Sequence, residues 1–166
     1  AYGDDEIAAV GALAGDIYFN SLEQFERFDP VARAAGAKIG LRVNPGYSNT
    51  TLGGALYDPC APVSRFGERP DKLGNVDWAG VDIFHVHALC EAMHEGSVGL
   101  IEHVANQFAG HIQQVRAVNF GGGHFINKPG YDVDALLAAD ITAFKDWEKD
   151  ISPGRNRRGP AGRPRP

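Results

Sequence analysis

Three consecutive glycines, Gly121, Gly122 and Gly123, follow an apolar run at residues 115–120 and lead into His124. Residues without a Cβ at a strand end let the backbone approach an anion, with amide hydrogens turned toward phosphate oxygens. The same composition also suits an ordinary strand-to-helix turn. His85 and His87 lie two apart in an apolar stretch, so in a strand both imidazoles share one face. Such a pair could ligate metal, move protons or offer a flat surface to an aromatic cofactor, and a satisfied core histidine is the plainer role for His85. Cys90, His94 and His124 nearby bring zinc into consideration, yet no further ligand falls at a zinc-site interval and no metal is expected. Arg42 sits inside another apolar run, where a guanidinium needs an acidic partner or an anionic ligand. In the loop that follows, turn chemistry accounts for Pro59 and Pro62 but not for Cys60 or Arg65.

These residues need elements to hold them. Helical spacing covers residues 4–15, and a short apolar strand covers 17–19. A helix is expected over 21–35, with Glu23 poised to cap it and Pro30 set to kink or split it. Residues 38–44 alternate like a strand, and 46–80 form a long loop rich in Gly, Pro, Asn and Ser, of the kind that is often functional. A strand at 82–88, a helix at about 97–114, a strand at 115–120 and a helix at 132–149 complete the body. Four β–α pairs in sequence imply parallel strands with helical crossovers. An open doubly wound sheet and part of a β/α barrel both satisfy that order.

The chain has 166 residues, enough for one domain with a real core. Its formal charge of −5 hides an asymmetry: residues 151–166 hold five arginines and no acid, which leaves −10 on residues 1–150. An acidic body argues against nucleic acid as the main ligand and suits a cationic small molecule. No apolar run is long enough for a bilayer, Asp82, His85 and His87 interrupting the most hydrophobic one, so no membrane partner is expected. No charged-then-apolar leader follows Ala1, and two cysteines make no disulfide framework, which favours a reducing, cytoplasmic setting. Residues 151–166, mostly Gly, Pro and Arg, are expected to be a disordered tail beside a 1–150 domain.

Several segments together resemble one family. Residues 40–48 (GLRVNPGYS), 56–67 (LYDPCAPVSRFG), 85–91 (HVHALCE) and 118–124 (VNFGGGH) are similar, in that order, to carboxynorspermidine (carboxyspermidine) decarboxylases, and 17–21 (IYFNS) fits the same alignment. Diaminopimelate decarboxylases, an alternative, show a His-Ile-Gly-Ser type segment where this chain has His87-Ala88-Leu89-Cys90. The resemblance implies an α/β fold, a partial β/α (TIM-type) barrel of about four βα units, binding pyridoxal phosphate. It implies His87 against the cofactor ring, Gly121, Gly122 and Gly123 at its phosphate, Cys90 near that phosphate and Arg42 beside the site. Arg65 and His124 would meet the substrate, a small carboxy-polyamine. The full-length parent would be a homodimer with a C-terminal β-domain. Its Schiff-base lysine would lie on an early strand before Ala1, Lys38 not being that residue, so no catalytic residue is assigned here and this piece alone is expected to be inactive. A truncated, non-catalytic phosphate-ligand-binding or partner-binding protein is the remaining alternative.

Overall fold

The computed structural model describes residues 2–49 and 58–148. Helix α1 spans Ile7–Leu13, β1 Asp16–Phe19, α2 Leu22–Ala34 and β2 Lys38–Val43. After β2 come two 3-10 turns, Pro70–Asn75 and Trp78–Gly80, and then β3 at Ile83–Val86. Helix α3 is His94–Gln107, α4 Ala109–Ile112, β4 Ala117–Asn119 and α5 Val133–Glu148. The expected disordered tail at 151–166 lies outside the described residues.

The four strands are all parallel and sit in the sheet in chain order, β1-β2-β3-β4. A doubly wound sheet reverses its order at a switch point. Sequential order with one-way progression is the barrel solution. The faces of the sheet agree. Ile17 and Phe19, Ile39 and Leu41, Phe84 and Val86 are buried in the core against the helices. At the alternate positions Gly40 and Ile83 are buried, but Tyr18, Arg42, His85 and Asn119 are only half-buried and give a second face with polar character. An open sheet sandwiched between helices would be apolar on both sides.

Local rules explain most boundaries. Ser21 Oγ accepts from the Gln24 amide and caps α2. The side chain that reaches back is Gln24, not Glu23, and it reaches one residue past the cap, its Oε1 accepting from the Asn20 amide at 3.0 Å. Pro30 lies inside α2 without splitting it. The helix expected at 97–114 starts earlier, at His94, and ends at Gln107, because the buried Phe108 leaves helical geometry before α4 resumes. The β2-to-β3 crossover carries 3-10 turns rather than an α-helix among the described residues, as its Pro and Gly content requires. No helix among the described residues is long and apolar enough to cross a membrane.

Candidate active site

The polar face is organised in rows by register. Tyr18 stands opposite Gly40, Arg42 opposite His85, and His85 opposite Asn119. A Cβ on Gly40 would collide with the Tyr18 ring, so that ring lies over the bare backbone of β2. It also sits 4.8 Å, centroid to centroid, from the His85 imidazole. His87 continues the same face just past β3, its ring 6.4 Å from that of His85.

Hydrogen bonds fix the protons here. His85 Nδ1 lies 3.1 Å from the carbonyl oxygen of Asn119, which can only accept, so Nδ1 carries the hydrogen and Nε2 is a bare acceptor. Burial, reinforced by the charges of Arg42 and His87, pushes the His85 pKa down to about 4. His87 is lowered too, by burial first and then by Arg42 and His124. Both rings are therefore neutral near pH 7. Arg42 Nη2 donates to the His87 carbonyl at 3.2 Å, and the guanidinium lies 4.8 Å from the centre of the Phe66 ring. No carboxylate pairs with Arg42 among the described residues, and burial lowers its pKa. Among the described residues Arg42 therefore has a backbone carbonyl and an aromatic ring as its partners and no carboxylate.

The glycine turn packs directly on this constellation. Gly121 and Gly123 have φ of +71° and +92°, which disfavour a side chain. A Cβ on Gly121 would come within 2.8 Å of His87 Nδ1 and 2.9 Å of the Val86 carbonyl oxygen. One on Gly123 would run into the Leu89 carbonyl. The turn is further laced to residues past β3: the Ala92 amide donates to the Gly123 carbonyl at 2.8 Å, and the Phe125 amide to that of Ala92 at 2.9 Å. Glu91 is held at φ 52°, a conformation side-chain-bearing residues seldom adopt, at this same junction. Not every turn amide faces outward. Gly121 N–H donates to Asn119 Oδ1 at 2.8 Å, and Gly122 N–H leans on His87 Nδ1 at 3.5 Å.

An open cleft of about 1450 Å³ runs along the face, lined by Tyr18, Arg42, Asp58, Arg65, His87 and Cys90 among others. Four of the residues singled out in the sequence, Arg42, Arg65, His87 and Cys90, thus meet in one cleft, with the glycine turn against His87. His124 does not line it. Its Nδ1 is 2.7 Å from Ser97 Oγ, a buried hydroxyl that also meets Tyr131 Oη at 3.0 Å. Among the described residues no three His, Cys, Asp or Glu side chains converge as a metal site. Sequence reasoning missed Tyr18, Asn119 and Asn20. Asn20 ties the loop down, its Nδ2 donating to the Arg65 carbonyl at 2.7 Å and its Oδ1 accepting from Gly67 N at 3.0 Å. Signals for the positions, though not for their distant contacts, were present, since an Asn two residues before a glycine can close a turn with its own side chain, and Tyr18 alternates with two buried residues.

A parallel sheet in chain order, with a histidine and a glycine turn packed together at the strand ends, has the architecture of the decarboxylases of the pyridoxal-phosphate barrel fold. No family model matches the chain. It is similar to the carboxynorspermidine/carboxyspermidine decarboxylases: 38% identical over 138 residues to the Campylobacter jejuni protein of that name, covering 83% of this chain and 35% of that one. It is 36% identical over 140 residues to the carboxyaminopropylagmatine decarboxylase of Synechocystis, covering 82% of this chain and 35% of the relative. The structure superposes on that of Campylobacter jejuni carboxynorspermidine decarboxylase complexed with norspermidine with a TM-score of 0.76 at 33% identity, over 89% of this chain and 36% of that one. The chain spans about a third of the length of the relatives it matches.

Proposed function

We propose that this chain forms the cofactor-holding part of a pyridoxal-phosphate-dependent decarboxylase that converts carboxynorspermidine or carboxyspermidine to norspermidine or spermidine. The observation that carries the reading is the packing of Gly121–Gly123 on His87, in a chain with this sequence kinship. The residues fit the cofactor. A flat neutral imidazole, a turn that excludes side chains, and an arginine without an acidic partner among the described residues match an aromatic ring bearing a phosphate. When bound, the cofactor's ring takes up the electron pair left as CO2 departs. His87 would support the ring face, and the glycine turn and Cys90 would lie toward the phosphate. Arg42 would offset negative charge in the cleft, with Arg65 at its rim; His124, assigned to the substrate by the resemblance, is instead held by Ser97 away from the cleft lining. Substrate, Schiff-base lysine and a homodimeric partner belong to the same proposal for the full-length protein. So does a cytoplasmic location, which the unpaired Cys60 and Cys90 support.

A second substrate has specific support, because the carboxyaminopropylagmatine decarboxylase is nearly as similar. Both substrates are assayed in one experiment, CO2 release by the full-length protein with and without added pyridoxal phosphate. Cofactor-dependent release from a carboxy-polyamine is expected, with His87→Ala lowering cofactor affinity by about ten-fold for a lost stacking face. Turnover of carboxyaminopropylagmatine alone would move the assignment to the second reading. No cofactor-dependent release from either substrate would overturn both.

A further inference from the structure

Asn119 engages three groups, and together they fix which way the hydrogens on the polar face point. Its Oδ1 accepts from the Gly121 amide at 2.8 Å, and an amide N–H can only donate, so the orientation of the Asn119 carboxamide is settled. Its Nδ2 is therefore the group facing Tyr18 Oη, at 2.9 Å, and it donates. The Tyr18 oxygen accepts that bond, which leaves its own hydrogen free for another acceptor. None is supplied by hydrogen bonds among the described residues, and the hydroxyl belongs to a side chain that lines the cleft. The third group is His85, turned by the Asn119 carbonyl so that its bare Nε2 is an acceptor. One residue at the end of β4 thus makes Tyr18 a donor and His85 an acceptor, and ties both to the glycine turn.

The geometry points to Tyr18 as a further ligand-binding residue of this cleft, its hydroxyl donating to an anionic oxygen of the bound molecule, with Asn119 as the positioning residue that aims it. The position suits the task. The ring lies over Gly40, where no side chain can displace it, and its tilted contact with the His85 ring, 4.8 Å between centroids, limits its swing. A donor held in this way loses little freedom when it binds. Arg42, two residues from Gly40 on the same face, adds positive charge that favours an oxyanion there. Tyr18, on β1, is separated from the glycine turn after β4 by the width of the sheet, and Asn119 is the link that makes one site of them.

The ligand in this inference rests on the cofactor reading above. The experiment titrates pyridoxal phosphate into the full chain and into Tyr18→Phe, which keeps the ring over Gly40. A roughly ten-fold weaker affinity with an unchanged melting temperature is expected, the usual effect of losing a hydrogen bond to a charged acceptor. Inorganic phosphate as competitor separates the two sources of an oxyanion. Weakening for both ligands assigns the contact to the phosphate group, and weakening for pyridoxal phosphate alone assigns it to an oxygen on the ring. Equal affinity of the two proteins overturns the inference alone, while failure of the unaltered chain to bind removes the cofactor reading and this ligand with it. The aiming role of Asn119 has its own signature. Its side-chain amide resonance is expected to shift in Tyr18→Phe without any ligand, and to respond to cofactor only when the hydroxyl is present. An amide resonance blind to both changes overturns that role. If Tyr18→Phe does not fold, fluorotyrosine at position 18 supplies the reading, since its fluorine resonance must move at saturating cofactor.

Discussion

His85 should make the fold acid-sensitive in a window set by its own chemistry. Its pKa is pushed from 6.5 to about 4 by burial, with Arg42 and His87 adding to the effect against the hydrogen bond to Asn119. The folded state therefore holds His85 neutral, and below pH 6.5 the unfolded chain binds a proton that the folded chain refuses. Stability is fully present near neutral pH, falls as pH drops from about 6.5 to about 4, and loses nothing more from this residue below that. The displacement corresponds to about 3 kcal/mol, and screening of a half-buried ring by solvent trims it to about 2 kcal/mol. Carboxylates titrate in the same range, so the measurement is a difference between two proteins. Urea unfolding of the full chain and of His85→Gln, whose amide can still donate to the Asn119 carbonyl, is compared at about pH 7 and about pH 4.5. The unaltered chain should lose about 1.5 kcal/mol more than the variant across that interval, which stops short of the folded pKa. Parallel pH profiles would refute the reasoning, because the displaced ionisation of His85 would then contribute nothing to folding.

Gly121→Ala adds a side chain where φ is +71° and where a Cβ would stand 2.8 Å from His87 Nδ1. A stability loss of about 1–3 kcal/mol is expected, together with weaker pyridoxal phosphate binding as His87 is displaced; thermal melting and cofactor titration check both. Glu68 is 6% exposed and its carboxylate accepts from the Leu22 amide at 2.9 Å and the Arg69 amide at 3.2 Å. Glu68→Ala should cost about 1–3 kcal/mol in chemical unfolding by leaving those amides without acceptors, and Glu68→Gln, which keeps one acceptor oxygen, should cost less.

The strands were legible because alternation is a strong signal when one face is apolar and the other is not. Ile39, Leu41 and Val43 mark β2 so clearly that Arg42 reads as an interruption, and the structure turns that interruption toward the cleft. The choice between a doubly wound sheet and a barrel was not legible from periodicity. It depends on strand neighbours, which are set by contacts far apart in sequence. The site was legible in its glycines and histidines, which carry their chemistry in their type. Asn119 and Tyr18 were not, since each acts through a partner about a hundred positions away, the bond between them linking the first strand to the last. Ser97 is a similar case: a serine in an amphipathic helix gives no hint that its buried hydroxyl will hold His124.

The division of labour between the two sheet faces has a consequence for how substitutions will sort. Side chains such as Phe19, Leu41 and Phe84 are fully buried against the helices, so trimming them removes core contacts and destabilises the protein whatever ligand is present. Tyr18, Arg42 and His87 stand on the other face, half-buried or exposed, and their loss should be felt mainly in the cleft. Asn119 belongs to both groups. Its carboxamide closes the glycine turn and orients Tyr18, while its backbone carbonyl sets the proton on His85. A single β4 residue with three such bonds cannot be altered for one purpose without the others. That coupling is why conservative changes at Tyr18 and His85, rather than changes at Asn119, are the means of taking the site apart while leaving the fold in place.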